Sequence, residues 1–209
     1  MISTTATTTT QKLEVWGYPG MEVDLGSVRT FSDEEFLEFC RRNPDARIER
    51  DSNGEIILMA PAHTETGGMN ANLSYFVTEW TRRDGTGRAF ESSTGFTLPN
   101  GALRSPDASW ISFRRWNALS DKERFGFAKI CPDFVVELRS TSDSLSKIRA
   151  KMTEYMENGA ALGWLIDPTE RKVYIYKPDQ QEEVLDNPAQ ISGEPLMKGF
   201  VLNPAEVWG

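Results

Sequence analysis

Phe134 to Leu138 reads Phe-Val-Val-Glu-Leu, apolar on both faces apart from one glutamate, the pattern of a strand covered on both sides. Leu162 to Ile166 repeats that character. Between them a Ser/Thr/Asp cluster, Ser140 to Asp143, predicts the cap of a helix that runs to Asn158-Gly159. Strand, helix and strand make a βαβ unit, whose crossover sets its two strands parallel. A further strand is expected at Val173 to Tyr176, after the Asp167-Pro168 turn.

Upstream the periodicity is different. Ser32 followed by Glu35 is a capping-box pattern opening a short helix with Phe36, Phe39 and Cys40, stopped near Asn43-Pro44. Two strands are expected to flank Asn53-Gly54, a hairpin signal. From Thr64, Met69, Leu73, Phe76, Val77 and Trp80 recur at helical spacing, so one helix face packs on a sheet. Past Asp84-Gly85 the pattern predicts strands over Arg88–Leu98 and through Pro106 to Phe113, joined at Pro99-Asn100-Gly101. This meander supplies antiparallel strands, so the expected fold is α/β with a mixed β-sheet core flanked by helices. The stretch after Tyr176 is punctuated by Pro and Gly, and its pattern assigns little. Residues 1–11 are Thr-rich and too poor in apolar side chains to offset ordering entropy, so a disordered tail is expected before a single domain over 12–209.

Composition narrows the classes. At 209 residues and 39% hydrophobic, one domain can bury a sizeable core. No apolar run approaches a membrane span and no signal-like segment opens the chain, which points to a cytoplasmic protein without a membrane partner. Cys40 and Cys131 stand far apart, outside metal-ligand spacing, and suggest two buried, reduced thiols. The net charge of -8 opposes gripping a nucleic-acid backbone through the whole surface. Basic clusters do occur at Arg82, Arg83 and Arg88, at Arg114 and Arg115, and along Lys147, Arg149 and Lys151, where solvated faces explain most such groupings.

One histidine, His63, excludes multi-histidine metal sites, and no G-x-S-x-G elbow or P-loop occurs. His63 itself reads as a cap or surface residue. Carboxylates remain. Glu137 lies in an apolar strand, where an ionised group is costly unless it is paired with a base or binds a metal. Asp107 follows Ser105-Pro106 and either caps a turn or takes part in a site. Lys151 falls about 40° from Tyr155, at the edge of the helix's apolar arc, where its ammonium turns inward or snorkels to solvent. Glu65 lies one turn before Met69, near a buried stripe, although a first-turn glutamate also suits the helix dipole.

The segments Ser105-Pro106-Asp107, Pro132 to Ser140, Lys151 with Tyr155, and Gly163 to Pro168 together resemble the Uma-two family of restriction-endonuclease-like proteins, within the PD-(D/E)xK superfamily. The likeness runs from about Ser32 to the C-terminus. It implies a restriction-endonuclease-like core and hydrolysis of nucleic-acid phosphodiester bonds, DNA foremost, with Mg²⁺ or Mn²⁺ as cofactor and a homodimer as the working unit. It also implies Asp107 and Glu137 as metal ligands and Lys151 as their catalytic partner; Glu65, from its place near the buried stripe, is a candidate fourth member. The chain departs from the superfamily where a lysine two residues after the second acid is usual, because Arg139 stands there. Lys151 then resembles a migrated replacement, and Arg139 a phosphate-facing cation. Two other readings stay open: a scaffold that keeps the fold without catalysis, and a hydrolase of a smaller phosphoester.

Overall fold

A computed structural model describes residues 31–209 and, before them, the backbone of two paired antiparallel strands, β1 (Lys12–Glu14) and β2 (Glu22–Asp24). The tail expected over residues 1–11 lies outside the described residues. The capping box forms as its pattern predicts: Ser32 Oγ accepts the Glu35 N–H, and the Glu35 carboxylate accepts the Ser32 N–H. The helix it opens is α1 (Asp33–Arg42), which buries Phe36 and Phe39 against Ile48 and Leu103. β3 (Arg47–Arg50) and β4 (Ile56–Met59) then pair antiparallel around Asn53-Gly54. Their connection is wider than a two-residue turn, because the Asp51 carboxylate accepts the N–H groups of both Asn53 and Glu55 and the loop closes over it. α2 (Thr64–Asp84) buries Leu73, Val77 and Trp80 and stops at Gly85, whose φ of 69° needs no Cβ.

Each of the two long strands expected next is broken in two. They are β5 (Gly87–Glu91) with β6 (Phe96–Thr97), and β7 (Leu103–Arg104) with β8 (Ala108–Ser112). β5 pairs with β8, while β6 pairs with β7 in a different sheet, so the chain changes sheet at both breaks. Pro106 sits in the second break, where its missing N–H removes nothing from a ladder.

The short helices α3 (Phe113–Trp116) and α4 (Asp121–Arg124) lead to the βαβ unit: β9 (Phe134–Leu138), α5 (Leu145–Glu157) and β10 (Leu162–Asp167). Ser140 to Asp143 forms a turn of its own, with the Ser140 N–H donated to Asp143 Oδ2, and the N-cap of α5 falls one residue beyond that cluster at Ser144, which makes no side-chain cap. β11 (Lys172–Tyr176), β12 (Glu183–Asp186), the pair β13 (Ile191–Ser192) and β14 (Val201–Leu202), and α6 (Ala205–Trp208) complete the chain. The central sheet has six strands in the order β12-β11-β10-β9-β8-β5, with β9 and β10 parallel and every other pairing antiparallel. A smaller sheet runs β4-β3-β7-β6.

Side chains alternate across the central sheet, and that alternation divides the core. Phe134, Val136 and Leu138 pack with Trp164 and Ile166 on the side of α2, where the C-terminal segment adds Met197, Phe200 and Val207. Val135 and Leu165 pack with Met152 and Tyr155 of α5 on the other side. Glu137 therefore points toward α5. Cys131 is buried, whereas Cys40 is only partly buried, and both are free thiols.

At Gly87 a Cβ would overlap the Trp110 ring and lie 2.5 Å from the Ile111 carbonyl oxygen, a backbone atom that cannot move aside. Gly87→Ala is expected to destabilise the protein by about 1–3 kcal/mol through overpacking. A lower urea midpoint at unchanged m-value checks this.

Candidate active site

Antiparallel pairing of Ala108 with Val136, carried one residue further, sets Asp107 opposite Glu137. The Leu138 N–H donates to Asp107 Oδ2 at 2.8 Å, which fixes the aspartate against β9. α5 runs back along the sheet, so its second and third turns return to the same place. Lys151 Nζ stands 2.9 Å from Glu137 Oε1, and the Tyr155 hydroxyl donates to that same oxygen at 2.9 Å. Asp107, Glu137 and Lys151 thus meet, and the inward choice for Lys151 is the one the fold makes.

Glu65 does not join them. It is exposed on the first turn of α2, about 140° round the helix from Asn70, and it is Thr66 and Asn70 that line the cleft above the cluster. Asn70 Nδ2 donates to Asp107 Oδ1 at 3.1 Å. Arg139 is likewise committed elsewhere. Its Nη1 lies 2.6 Å from Oδ2 of Asp167, a carboxylate with no exposed surface, so the guanidinium compensates a buried charge and does not face the cleft.

Two contributors escaped sequence reasoning. Asn70 carries no charge and sits beside a helical stripe. Glu49 belongs to Arg47-Ile48-Glu49-Arg50, whose alternation of charge looks solvated, yet Glu49 is 3% exposed. Its Oε1 accepts from Lys151 Nζ at 2.9 Å and from the Ser105 N–H at 2.9 Å, and its Oε2 accepts from Arg104 Nη1 at 3.2 Å. Arg104 Nε reaches Glu154 Oε2 at 2.6 Å. No local signal marks either residue.

The cluster gathers three carboxylates around one ammonium. Burial, with the neighbouring Asp107 and Glu49 charges, outweighs the attraction of Lys151 and pushes the Glu137 carboxyl up to about 7. Asp107 is also raised, chiefly by burial, against the pull of the Leu138 N–H, Lys151 and Arg47. For Lys151, burial disfavours the ammonium, but Glu137 and Glu49 overcome it and hold the group above the ordinary lysine range. Glu49 loses more to its basic partners than burial costs it and stays below the usual carboxylate range. The result is a firmly protonated lysine beside two carboxylates that are short of positive charge.

Whether a divalent cation suits these groups turns on the donors. Among the described residues no group of three or more His, Cys, Asp or Glu side chains forms a ready ligand set. However, Asn70 Oδ1 is buried beside Asp107 with no hydrogen-bond partner, a state that costs roughly 1–3 kcal/mol if nothing fills it. Two under-compensated carboxylates and an orphaned amide oxygen make an all-oxygen set of the kind Mg²⁺ and Mn²⁺ prefer. The residues present fit such an ion. Above them lies an open cleft of about 1040 Å³, walled by Ile56 to Met59 on one side and by the N-terminal half of α5 on the other. Carboxylates outnumber basic side chains along it.

A mixed sheet flanked by helices, with two acids and a lysine meeting where β8, β9 and α5 converge, defines a restriction-endonuclease-like fold. The same fold is found in the crystal structure of "a putative nuclease belonging to DUF820" from Anabaena variabilis, with a TM-score of 0.70 and 22% identity over 85% of this chain and 97% of that one. Residues 33–205 match the family model Uma2, described as "Putative restriction endonuclease", and the chain belongs to that family. No curated protein matches it significantly. No helix among the described residues is long and apolar enough to cross a membrane.

Proposed function

We propose that the protein is a divalent-cation-dependent endonuclease that hydrolyses phosphodiester bonds of nucleic acid, DNA foremost, at the centre formed by Asp107, Glu137 and Lys151. The observation that carries this is the Lys151 ammonium 2.9 Å from Glu137, on the strand register that sets Glu137 opposite Asp107. Asp107 and Glu137 would hold Mg²⁺ or Mn²⁺, with the Asn70 amide oxygen as a third neutral donor. When bound, the cation would polarise the phosphodiester and make water nucleophilic near neutral pH.

The chain's own groups do the rest. Tyr155 and Lys151 both engage Glu137 Oε1, which fixes the carboxylate, and Oε2, which takes neither bond, would be available to hold the cation. Lys151 keeps its proton, so it acts as a hydrogen-bond donor and a positive charge toward the attacking water or the pentavalent phosphorane, and not as the base. Asn70 and the Leu138 N–H orient Asp107. Neither Glu65 nor Arg139 enters this scheme. The homodimer remains part of the proposal, since two centres serve two strands; sedimentation equilibrium reads it directly.

Labelled single-stranded and duplex DNA and RNA, incubated with the protein and Mg²⁺ or Mn²⁺, test the reading. Cleavage is expected with metal and none with excess EDTA; intact substrates under every metal condition would refute it. The acidic lining of the cleft favours a second reading, hydrolysis of a smaller phosphoester that needs no basic groove. Turnover of bis(p-nitrophenyl) phosphate without cleavage of any polynucleotide would establish that reading instead.

A further inference from the structure

Glu49 lies on β3, in the smaller sheet, yet its carboxylate reaches the centre built on the larger one. The bond that links them, Lys151 Nζ to Glu49 Oε1, spans 102 residues of sequence. Lys151 is divided evenly, 2.9 Å from Glu49 and 2.9 Å from Glu137. Glu49 is itself held from behind by the Ser105 N–H and by Arg104, and Arg104 is held by Glu154, which also accepts from Asn100 Nδ2 at 3.0 Å. This is a braced carboxylate, with its position set by backbone and by a second ion pair.

Those contacts have a consequence for Glu137. An ammonium with a single carboxylate partner pairs with it fully and competes with any cation for its oxygens. A second carboxylate, fixed on the far side, draws the ammonium away while keeping it within reach. Resting on the metal-centre reading above, we infer that Glu49 is a positioning residue, which holds the Lys151 ammonium between two carboxylates so that Glu137 keeps an oxygen for a divalent cation.

A purely structural ion pair would affect folding and leave the cation affinity of folded protein unchanged. A diffuse electrostatic effect would lower that affinity whether or not Lys151 is present. The positioning role requires Lys151. Mn²⁺ affinity is therefore measured by titration calorimetry for the full chain, Glu49→Gln, Lys151→Gln and the double variant, each shown to be folded by circular dichroism. Glu49→Gln is expected to weaken Mn²⁺ binding about tenfold in the wild-type background, as loss of an outer-shell partner commonly does, and less than about twofold in the Lys151→Gln background. Equal effects in both backgrounds, or none in the folded single variant, would overturn the role of Glu49 while leaving the metal centre in place. A wild-type protein that binds no Mn²⁺ would overturn the metal centre itself, and this inference with it. Should Glu49→Gln not fold, Glu49→Asp keeps the charge but withdraws it by one methylene, and the same cycle is read with that variant.

Discussion

Glu137→Gln is expected to yield a folded protein that has lost divalent-cation binding and metal-dependent cleavage together, each by about 10²-fold or more, since even outer-shell changes reach that size. The substitution keeps the shape of the side chain and can still accept the Tyr155 hydroxyl, so packing against α5 is preserved. What it removes is a charge that the surroundings already resist, because burial and the nearby Asp107 and Glu49 carboxylates hold Glu137 at about 7. Folding therefore loses little. Cation binding loses the carboxylate that the ion would neutralise, and Lys151 remains paired with Glu49. Calorimetric titration with Mn²⁺, beside cleavage of labelled DNA, reads both quantities. Unchanged Mn²⁺ affinity in the variant would place the ion elsewhere, and unchanged cleavage would remove Glu137 from the chemistry.

The largest effect on stability is expected at Trp164, far from any exposed surface. Its ring has no exposed area, meets Phe134 edge-on with centroids 4.9 Å apart, and stacks on Phe200 at 5.5 Å. Trp164→Ala opens a void between the central sheet and the C-terminal segment and is expected to cost about 3–5 kcal/mol. For a chain of this length that lowers Tm by on the order of 10 °C. Trp164→Phe should cost far less, because the indole Nε1–H is buried without an acceptor and its loss removes an unsatisfied donor. Urea unfolding of the three proteins checks the order. A loss below about 1 kcal/mol for the alanine variant would mean that the C-terminal segment does not complete this core.

That segment shows where periodicity stops being informative. Its strands β13 and β14 have two residues each, too short for alternation to register, yet Met197, Phe200 and Leu202 are buried against Trp164. The long runs of pattern behaved differently. Phe134 to Leu138 is buried throughout, as its apolar character on both faces requires, and α5 presents Met152 and Tyr155 to the sheet at the expected spacing. The strands after α2 failed for a definable reason. Apolar alternation shows that a residue faces a core but not which of two sheets supplies it, and the chain exchanges sheets twice between Glu91 and Ala108.

Locally only Glu137, a charge in an apolar strand, sat uncomfortably; Asp107 behind a proline could equally cap a turn and Lys151 could snorkel to solvent, and it was the family resemblance that joined the three, which the fold brings together. Glu65 was the weaker candidate, since a first-turn glutamate also suits the helix dipole, and it is exposed on α2. Arg139 was expected to face phosphate, and the fold places buried Asp167 beside it instead.

By itself the sequence determined what is settled within a few residues along the chain: the capping box at Ser32, the end of α2 at Gly85, the buried strands of the βαβ unit and the inward face of α5. Those outcomes depend on hydrogen bonds and side-chain periodicity that neighbours in sequence complete. Only the tertiary structure decided which charges meet. Glu49 lies 102 residues from Lys151, and Asn70 lies 37 from Asp107, and nothing local distinguishes either from a solvated polar side chain. Their roles come from burial and from a partner's charge, and both exist only once the two sheets and α5 have packed together.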